Sequence, residues 1–497
     1  MRRSKLLGIV FCLSVLSRAS AAQAEEYLQI PGVLHVHTTV SSGRYSLVEV
    51  ARLARRYGVQ ALILTDNYRL RFEYGLFPFR KLIRKTVERP SVMTFGVTRY
   101  LKMIQEAQED YPDIILLPGV EVLPHYFWTG SPLKGDLTMH NSQKNLLIVG
   151  LKNASDYIEM AQIVQEARYY GPGSLLKALP VVLLLPGIWL FRLKTCRMVR
   201  VGNFTLRQEK RHRLSGGLLI VLALLSVINN FPYTLSLYDA YHERGSLPYQ
   251  MLIDFVNSRD GMAFWSFPEA RDLGRFHLGR LGSVTTKTDP HPGDLIKTEG
   301  YAGFGALYED VVMATEPGGV WDRILEAYCK SKRATPVWGI GEAGYHYEGQ
   351  AGKKLGNILT VFLVRSKNRY EVLKALRRGK MYAVQAAEAD RLVLDDFTVS
   401  APDTREKAFM GDELLTEENP RVLVRVASLN DRTIQISLRL IRSGELIKIA
   451  TGYTPFKFLY DDVHLPDEER IYYRIDVRGP YSRIISNPIF VRFERSK

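Results

Sequence analysis

The chain has 497 residues, enough for more than one domain and a large hydrophobic core. Its 67 lysines and arginines exceed its 52 aspartates and glutamates, but much of this excess lies in residues 1–5 and 192–213, so we expect no nucleic-acid partner. The 3 cysteines are too few for a disulfide framework or a cysteine-rich zinc site.

The N-terminal segment has the pattern of a secretory signal. Three basic residues precede an apolar run from Leu6 to Leu16, and small residues then lead to Ala24. This pattern predicts a signal peptide over residues 1–24, cleaved after Ala24, with an uncleaved anchor as the alternative.

Two apolar segments interrupt the middle of the chain. Leu214 to Tyr238 has no charged residue and is long enough to cross a bilayer, while Leu175 to Phe191 is shorter and contains two prolines. The basic segment between them favours a membrane hairpin with a cytoplasmic loop over a pair of buried core helices. Both flanking regions are then expected on the exported side, which agrees with a signal at the N-terminus.

Outside this hairpin, short apolar runs alternate with helical patterns. Strands are predicted at residues 33–37, 61–64, 114–117, 145–149, 262–265, 304–308 and 336–340. Helices are predicted at 46–57, with Ser46 as the N-cap, and at 249–258 and 319–332. Alternating strands and helices predict an α/β fold with a mainly parallel sheet closed as a barrel, whose active site lies beyond the strand carboxyl ends.

From about Arg391 the pattern changes to a period of two. The run "RVLVRV" places Val422, Val424 and Val426 on one face, and "TIQISLRL" does the same with four further apolar residues. This periodicity predicts a C-terminal β-sandwich of roughly 100 residues.

The stretch "GVLHVHTTVSSG" carries His35 and His37 at the end of the first predicted strand. Strand side chains alternate with period two, so both imidazoles are expected on the same side. Neutral imidazoles there suit Zn²⁺, Mn²⁺ or Fe²⁺ when a carboxylate from another strand completes the set. The alternative is a pair of hydrogen-bonded histidines in a barrel that binds no metal.

Several motifs together resemble the PHP (polymerase and histidinol phosphatase) family. In order they are "LHVHTTVSSG", "GVQALILTDN", "LLPGVEV" and "MHNSQKNLLIVGL", followed after the hairpin by "GMAFWSFPEA", "WDRILEAYCKSKRATPVWGIGEAGYH" and "ALRRGKMYA". The resemblance covers roughly residues 30–170 and 245–385. It implies a distorted (β/α)7 barrel, interrupted here by the hairpin, that binds up to three divalent metals and hydrolyses phosphate esters.

The resemblance implies a role for six residues of this chain. The positions that match metal ligands of the family are His35, His37, Glu121, His140 and His346. Asp66 would orient a histidine or act as the general base, and the alternative is a structural residue that binds loop amides. His140 could equally be an ordinary loop residue.

Other positions depart from the family's pattern. Ser42 and Gly43, Asn67, Phe267 and Gly344 stand where the family has acidic or histidine ligands. The resemblance therefore implies a reduced centre with one divalent ion, at most two. Four residues lie close enough in sequence to replace a lost ligand: His125, Glu269, Glu342 and Glu348.

Two functions follow from these observations. The first is an exported, membrane-anchored metal-dependent hydrolase acting on a phosphate ester or another small anionic substrate. The second is a catalytically inactive binding or scaffold protein at the membrane surface. The expected organisation comprises a signal peptide (1–24), the first part of the barrel (25–170), the hairpin (171–245), the second part of the barrel (246–388) and the β-sandwich (389–497). The expected location is the cell membrane, with barrel and sandwich on the periplasmic or extracellular side.

Overall fold

The computed structural model describes residues 27–164, 167–277, 283–386, 390–404, 406–463 and 468–494. The predicted signal peptide lies outside these residues. The described chain is a mixed α/β structure in which a closed barrel is followed by further strands.

Seven strands close into the barrel because the first strand pairs with both the second and the seventh. In chain order these are β1 Leu28–Val36, β2 Ala61–Leu64, β3 Ile115–Val122, β4 Leu146–Val149, β5 Met262–Trp265, β6 Gly303–Leu307 and β7 Trp338–Tyr345. All pairings are parallel except those of β4, which runs antiparallel to β3 and β5. The amino end of β4 therefore lies at the rim where the other six strands have their carboxyl ends.

Helices alternate with the barrel strands, and three more lie in the apolar segments of residues 173–230. Their bounds are Leu47–Arg56, Val92–Phe95, Val97–Asp110, Ala154–Glu159, Gly173–Ala178, Leu184–Arg192, Arg213–Asn230, Leu247–Ser258, Gly293–Lys297, Val320–Cys329 and Arg369–Arg378, with 3₁₀ turns at Met160–Gln162, Leu179–Leu183 and Gln350–Gly352. The predicted cap is confirmed: Ser46 and Glu49 form a capping box at the first helix. The helix predicted at 319–332 is shorter, ending at Cys329.

Strands outside the barrel extend above its carboxyl rim. Hairpin A consists of Leu70–Gly75 and Arg84–Arg89, joined by a tip at residues 76–83. The side sheet consists of Asp272–His277, Ser283–Thr288, Thr138–His140 and Phe127–Thr129, in that order. A two-residue pairing joins Arg168–Tyr169 to Leu235–Ser236. None of these strands was predicted, because their short alternating patterns are interrupted by charged residues.

Two helical segments in the middle of the chain are long and apolar enough to cross a membrane by length and composition. They are Gly173–Arg192 and Arg213–Asn230, and most of their surface is exposed. They approach closely where Gly187 faces Ile220 and Gly216 faces Phe191, because a Cβ at either glycine would lie within 3 Å of the other helix. The second segment ends at Asn230 rather than at Tyr238 as predicted, since Phe231 precedes a proline and leaves the helical region.

The basic segment between these helices folds as an exposed β-hairpin. Its strands Lys194–Val201 and Phe204–Arg211 pair over their full length around a turn with Gly202 at φ +61°. The charge pattern predicted a cytoplasmic loop and did not predict this hairpin.

The C-terminal strands form two further layers. After β8 Ile358–Val364 and β9 Met381–Ala386, the chain continues as β10 Leu392–Ser400, β11 Lys407–Ala408, β12 Glu413–Thr416, β13 Arg421–Ser428, β14 Gln435–Arg442, β15 Glu445–Tyr453, β16 Phe456–Asp461, β17 Arg470–Arg478, β18 Ser482–Ser486 and β19 Ile489–Phe493. One sheet has the order β11-β10-β13-β16, and the second joins the barrel through the β9–β18 pairing. Alternate residues of β13 and β14 are buried, as the period of two predicts.

A buried ion pair fixes the C-terminal layers to the barrel. Arg474 on β17 donates from Nε and Nη2 to the two carboxylate oxygens of Asp322, at 2.7 and 2.6 Å, and Tyr472 donates to the same carboxylate at 2.8 Å. Asp322 lies on the barrel helix Val320–Cys329. Bidentate geometry in a buried place specifies orientation, so the two parts pack in one arrangement.

Candidate metal centre

Three predicted ligands meet at the carboxyl rim of the barrel. His35 lies near the end of β1, His37 directly follows β1, and Glu121 lies near the end of β3. All three side chains are buried, and one potential ligand atom from each lies within 4.8 Å of the other two.

The distances between these ligand atoms fit a single ion. His35 Nε2 lies 3.0 Å from His37 Nε2 and 3.3 Å from Glu121 Oε1, and His37 Nε2 lies 3.6 Å from Glu121 Oε2. Tetrahedral bonds of ~2.0–2.1 Å place two ligand atoms about 3.3 Å apart. Two imidazoles and one carboxylate are also a donor set that Zn²⁺, Mn²⁺ and Fe²⁺ accept.

A bulge in β1 brings the two histidines together. The register of β1 shifts between Leu34 and Val36 against both of its barrel neighbours, and His35 between them has φ +66°. Left-handed backbone at a non-glycine residue costs of order 1–3 kcal/mol and is concentrated at functional sites. The sequence prediction assumes a regular strand with strict alternation of side chains, and it therefore does not include this bulge.

Hydrogen bonds orient both imidazoles with Nε2 toward the centre. His35 Nδ1 donates to Glu342 Oε1 at 2.7 Å, and Glu342 on β7 is itself held by Ser266 Oγ at 2.5 Å and by the Phe267 amide at 2.9 Å. His37 Nδ1 lies 3.3 Å from Ser41 Oγ. A carboxylate behind a histidine fixes its tautomer and raises its basicity as a ligand.

The charges of the centre are coupled. Burial opposes a charged His35, but Glu121 and Glu342 outweigh it and raise the pKa of His35 to about 9. Burial also opposes an ionised Glu121, but His35, His37 and the Asn145 amide lower its pKa to about 2. Burial lowers the pKa of His37 well below its usual value. In the metal-free protein His35 is therefore the protonated, positively charged member of the centre and Glu121 is ionised.

Two amides hold Glu121. Asn67, which follows β2, donates to Oε2, and Asn145, at the amino end of β4, donates to Oε1 at 2.7 Å. Asn145 Oδ1 is buried and has no hydrogen-bond partner among the described residues. The unpartnered oxygen belongs to the same amide group that holds Glu121, which fits a site completed by a further ligand. Sequence reasoning does not find Asn145, because it expects site residues at strand carboxyl ends, whereas β4 runs the other way.

Asp66 lies beneath the loop that carries His37. Its oxygens accept from the Thr38 amide at 2.7 Å, the Thr38 hydroxyl at 2.9 Å and the Ser41 hydroxyl at 2.6 Å. Burial raises the pKa of its carboxyl group. Because Ser41 donates to Asp66, it can accept from His37 Nδ1, and Asp66 orients that histidine through the serine.

Phe267 and Gly344 fill the place next to the centre where the family resemblance expects further ligands. The Phe267 ring stacks on His35 with centroids 5.2 Å apart. A Cβ at Gly344 would lie 2.6 Å from Phe267 Cζ, and both residues have positive φ, +40° and +52°. The phenyl ring thus occupies the space that an aspartate side chain at position 344 would need. Phenylalanine at position 267 and glycine at position 344, both departures from the family's pattern, therefore depend on each other.

His346 is held by hydrogen bonds beside this place. Ser42 Oγ donates to Asn67 Oδ1 at 2.8 Å and lies 3.1 Å from His346 Nδ1, so His346 carries its proton on Nδ1 and keeps the Nε2 lone pair. Its ring stacks in parallel on His37 at 4.2 Å. Burial lowers the pKa of His346 to about 4. His346 lines the pocket but does not join the three ligand atoms.

The remaining candidate residues lie elsewhere. His140 is on the side sheet, where its Nε2 lies 2.8 Å from Thr129 Oγ1 and its ring stacks on Phe127, and it is not part of the ligand group. Of the four possible replacement ligands, Glu342 contacts His35 from behind. The other three bind backbone or tyrosine groups away from the centre: His125, Glu269 and Glu348.

A cavity of about 510 Å³ opens above the centre. Its base is formed by the ligand residues and its walls by hairpin A and the side sheet. Basic residues line it on several sides: Arg69, Lys85, Arg89, Arg271 and Lys353. Lys353 is paired with Glu309 at 3.1 Å. The volume is in the range of small-molecule sites, about 300–1,000 Å³.

No protein-family model matches the chain, and neither does any curated protein. Among solved structures, a two-domain Bacteroides vulgatus protein containing a predicted PHP-like metal-dependent phosphoesterase is 11% identical, with 91% of each chain covered and a TM-score of 0.35. A candidate metal-dependent phosphoesterase from Bifidobacterium adolescentis is 13% identical, with 70% of this chain and 98% of that chain covered and a TM-score of 0.31.

An amidohydrolase from Chromobacterium violaceum is 12% identical, with 64% of this chain and 88% of that chain covered and a TM-score of 0.26. Likenesses this low assign neither a family nor an activity to the chain. The interpretation of the centre therefore depends on its own geometry.

Proposed function

We propose that this protein is a metal-dependent hydrolase of the PHP type that cleaves a phosphate ester or related anionic substrate at a reduced, single-ion centre. The observation that carries the proposal is the convergence of three side chains: His35 Nε2 lies 3.0 Å from His37 Nε2 and 3.3 Å from Glu121 Oε1, and His37 Nε2 lies 3.6 Å from Glu121 Oε2. Two imidazoles, with His35 giving up its proton as the ion binds, and a carboxylate at the base of an open cavity lined by basic residues form a site for one divalent cation and an anionic ligand.

Each residue has a defined part in this proposal. His35, His37 and Glu121 would hold the ion, which when bound supplies Lewis-acid polarisation of a phosphoryl oxygen and a lowered pKa for water. Glu342 and Asp66 would orient the two histidines from behind. With its proton on Nδ1, His346 would present the Nε2 lone pair to the cavity that it lines. His140 has no part in the centre.

We further propose that a membrane hairpin anchors the protein and that the barrel lies on the exported side. Helices Gly173–Arg192 and Arg213–Asn230 have the required length and composition. Their close approach at Gly187 and Gly216 is typical of helix pairs in lipid, where small residues let backbones meet. The basic β-hairpin between them favours the cytoplasmic side by the positive-inside rule.

Reporter fusions at Thr195 and Lys380 test this topology. We expect the two positions to report opposite sides of the membrane, with Thr195 inside. Labelling of both positions on one side would contradict the proposed hairpin.

Phosphatase and phosphodiesterase assays of the full chain in detergent test the activity. We expect p-nitrophenyl phosphate or bis(p-nitrophenyl) phosphate to be hydrolysed after loading with Zn²⁺, Mn²⁺ or Fe²⁺, and activity to be lost in the double variant His35→Ala, His37→Ala. The matched control replaces two exposed histidines, His242→Ala and His277→Ala, and should retain activity. Equal activity in both double variants would contradict the proposal.

The place filled by Phe267 favours a second candidate, an inactive barrel that binds an anionic ligand or a partner. Phe267 closes the position where the resemblance expects additional ligands, and turnover by the family relies on up to three ions. A chain that binds one ion but hydrolyses neither ester would support this alternative over the hydrolase.

A further inference from the structure

The walls of the cavity differ from its base because they are largely apolar. On hairpin A the cross-strand pairs Leu70–Arg89, Phe72–Val87 and Tyr74–Lys85 all face the cavity. On the side sheet the pairs Phe276–Val284 and Trp128–Met139 also face it. Residues directly opposite in antiparallel strands share one face, so whole faces of both elements, rather than scattered side chains, form the walls.

These walls come together above the centre. The Arg89 guanidinium lies 5.6 Å from the Phe276 ring, which joins hairpin A to the side sheet. Trp128 Nε1 donates to the Glu73 carbonyl at 2.9 Å, and Tyr74 packs edge-on against Trp128 at 5.4 Å. The cavity is thus a cleft with mostly apolar walls, which also carry Lys85 and Arg89, and it leads down to the metal-ligating groups.

Hairpin A also reaches the end of an apolar helix. At its tip, the Lys81 amide donates to Asn229 Oδ1 at 2.9 Å, and Lys81 Nζ lies 3.4 Å from the Asn230 and Phe231 carbonyls. Around this contact three tip residues and one helix-end residue are exposed and apolar: Phe77, Leu82, Ile83 and Phe231. Apolar and aromatic side chains with adjacent lysine and arginine are typical of a lipid interface.

We infer that the substrate of the proposed site is an amphiphilic phosphate ester taken from the membrane surface. Its phosphate would lie at His35, His37 and Glu121, and its hydrocarbon chain between hairpin A and the side sheet, while the tip of hairpin A rests in the lipid interface. In hydrolysis, water adds at phosphorus and the bond between phosphorus and the alkyl oxygen breaks. The alkyl oxygen takes a proton and leaves as the alcohol, and the second product is inorganic phosphate. This inference depends on the proposed hydrolase activity and on the proposed membrane hairpin.

Chain-length dependence tests the apolar cleft. The metal-loaded full chain in detergent is assayed for phosphate release from methyl phosphate and from octyl phosphate, which carry the same reacting group. We expect kcat/KM at least tenfold higher for octyl phosphate. Phe276→Ser, on the cavity face, should reduce this ratio severalfold. The matched control Leu273→Ser changes an exposed residue on the other face of the same strand and should keep the ratio.

Vesicles test the source of the substrate. The protein is reconstituted in phosphatidylcholine vesicles containing an alkyl phosphate lipid, and the double variant Phe77→Asp, Ile83→Asp is compared with Leu429→Asp, Ile449→Asp on the sandwich. We expect the tip variant alone to lose at least fivefold in vesicle turnover while keeping the rate on soluble octyl phosphate. An unchanged vesicle rate would overturn the membrane source.

The outcomes separate this inference from the proposed function. Equal kcat/KM for methyl and octyl phosphate would overturn the inference and leave the hydrolase standing. Failure to hydrolyse either ester with metal bound would overturn both.

Discussion

The rim of the barrel contains two neighbouring places. The family resemblance expects metal ligands at both, but in the structure only one of them brings ligand atoms together. In the first, His35, His37 and Glu121 converge with their ligand atoms 3.0–3.6 Å apart. In the second, Phe267 fills the space beside Gly344, and His346 is hydrogen-bonded to Ser42. At the first place a divalent cation can replace the proton of His35. At the second place the Phe267 ring leaves no room for a ligand side chain at position 344.

The electrostatics of the two places differ in the same way. Carboxylates outweigh burial at His35 and raise its pKa to about 9, whereas burial lowers the pKa of His346 to about 4. Two carboxylates make a positive charge favourable at His35, whereas burial together with the positive His35 and Lys353 keeps His346 neutral. The comparison teaches that losing ligands at one place need not disable the other, because each has its own supporting residues.

The largest expected effect is at Glu121. Glu121→Gln keeps the size of the side chain but removes the negative charge that the ion requires, so we expect Zn²⁺ or Mn²⁺ binding in titration calorimetry to fall below detection. Glu309→Gln, which changes a glutamate of the same cavity that is paired with Lys353, should bind as the unaltered protein does. Equal loss in both variants would show that overall cavity charge, rather than the three-residue centre, holds the ion.

The next effect is at Glu342, which supports the centre from behind. Glu342→Gln weakens the hydrogen bond at His35 Nδ1 without touching a ligand atom, and we expect metal affinity to fall about 10–100-fold. Competition with a chromogenic chelator measures this change. Affinity within twofold of the unaltered protein would mean that His35 needs no carboxylate to be oriented.

A smaller effect is expected at the filled place and concerns folding stability. Gly344→Ala should destabilise by about 1–3 kcal/mol, because its Cβ meets Phe267 and its φ is +52°. Adding Phe267→Ala should restore the stability lost through the clash with the phenyl ring, while the stability lost through the positive φ at position 344 remains lost. Urea unfolding of the two single variants and the double variant measures the coupling; additive effects would contradict the dependence of the two residues on each other.

The smallest effect is a pH dependence of the metal-free protein. The pKa of His35 is raised on folding, so its contribution to stability is fully present below its unfolded value of about 6.5 and is lost as the pH rises through about 9. We expect the melting temperature to decline over that range in the apo protein, and less so in His35→Gln. The same decline in the unaltered protein and in His35→Gln would mean that another group causes the pH dependence.

Sequence reasoning could predict those parts of the fold that depend on local pattern. The capping box at Ser46 and Glu49, the β2 and β5 strands and the period of two in β13 follow directly from residue type and spacing. The closed barrel of seven strands is also confirmed.

Parts of the site that depend on tertiary pairing could not be predicted. The bulge at His35 depends on how β1 pairs with its two barrel neighbours, and no residue type in β1 predicts it. Asn145 reaches Glu121 only because β4 is antiparallel. The strands of hairpin A and the side sheet have at most six residues each, and the pairings that bring their faces together above the barrel are tertiary, so the sequence pattern does not reveal the apolar cleft. The pairing of Phe267 with Gly344 joins residues 77 positions apart in a contact that two separate motifs do not reveal.

The number of metal ions per chain tests the central claim most directly. The full chain, loaded with Zn²⁺ or Mn²⁺ and freed of excess, is measured by elemental analysis and by anomalous diffraction. We predict one ion per chain, within bonding distance of His35, His37 and Glu121, with Phe267 still in place and none in the His35→Ala, His37→Ala variant. Two or three ions per chain, or an ion bound equally well by that variant, would contradict the account.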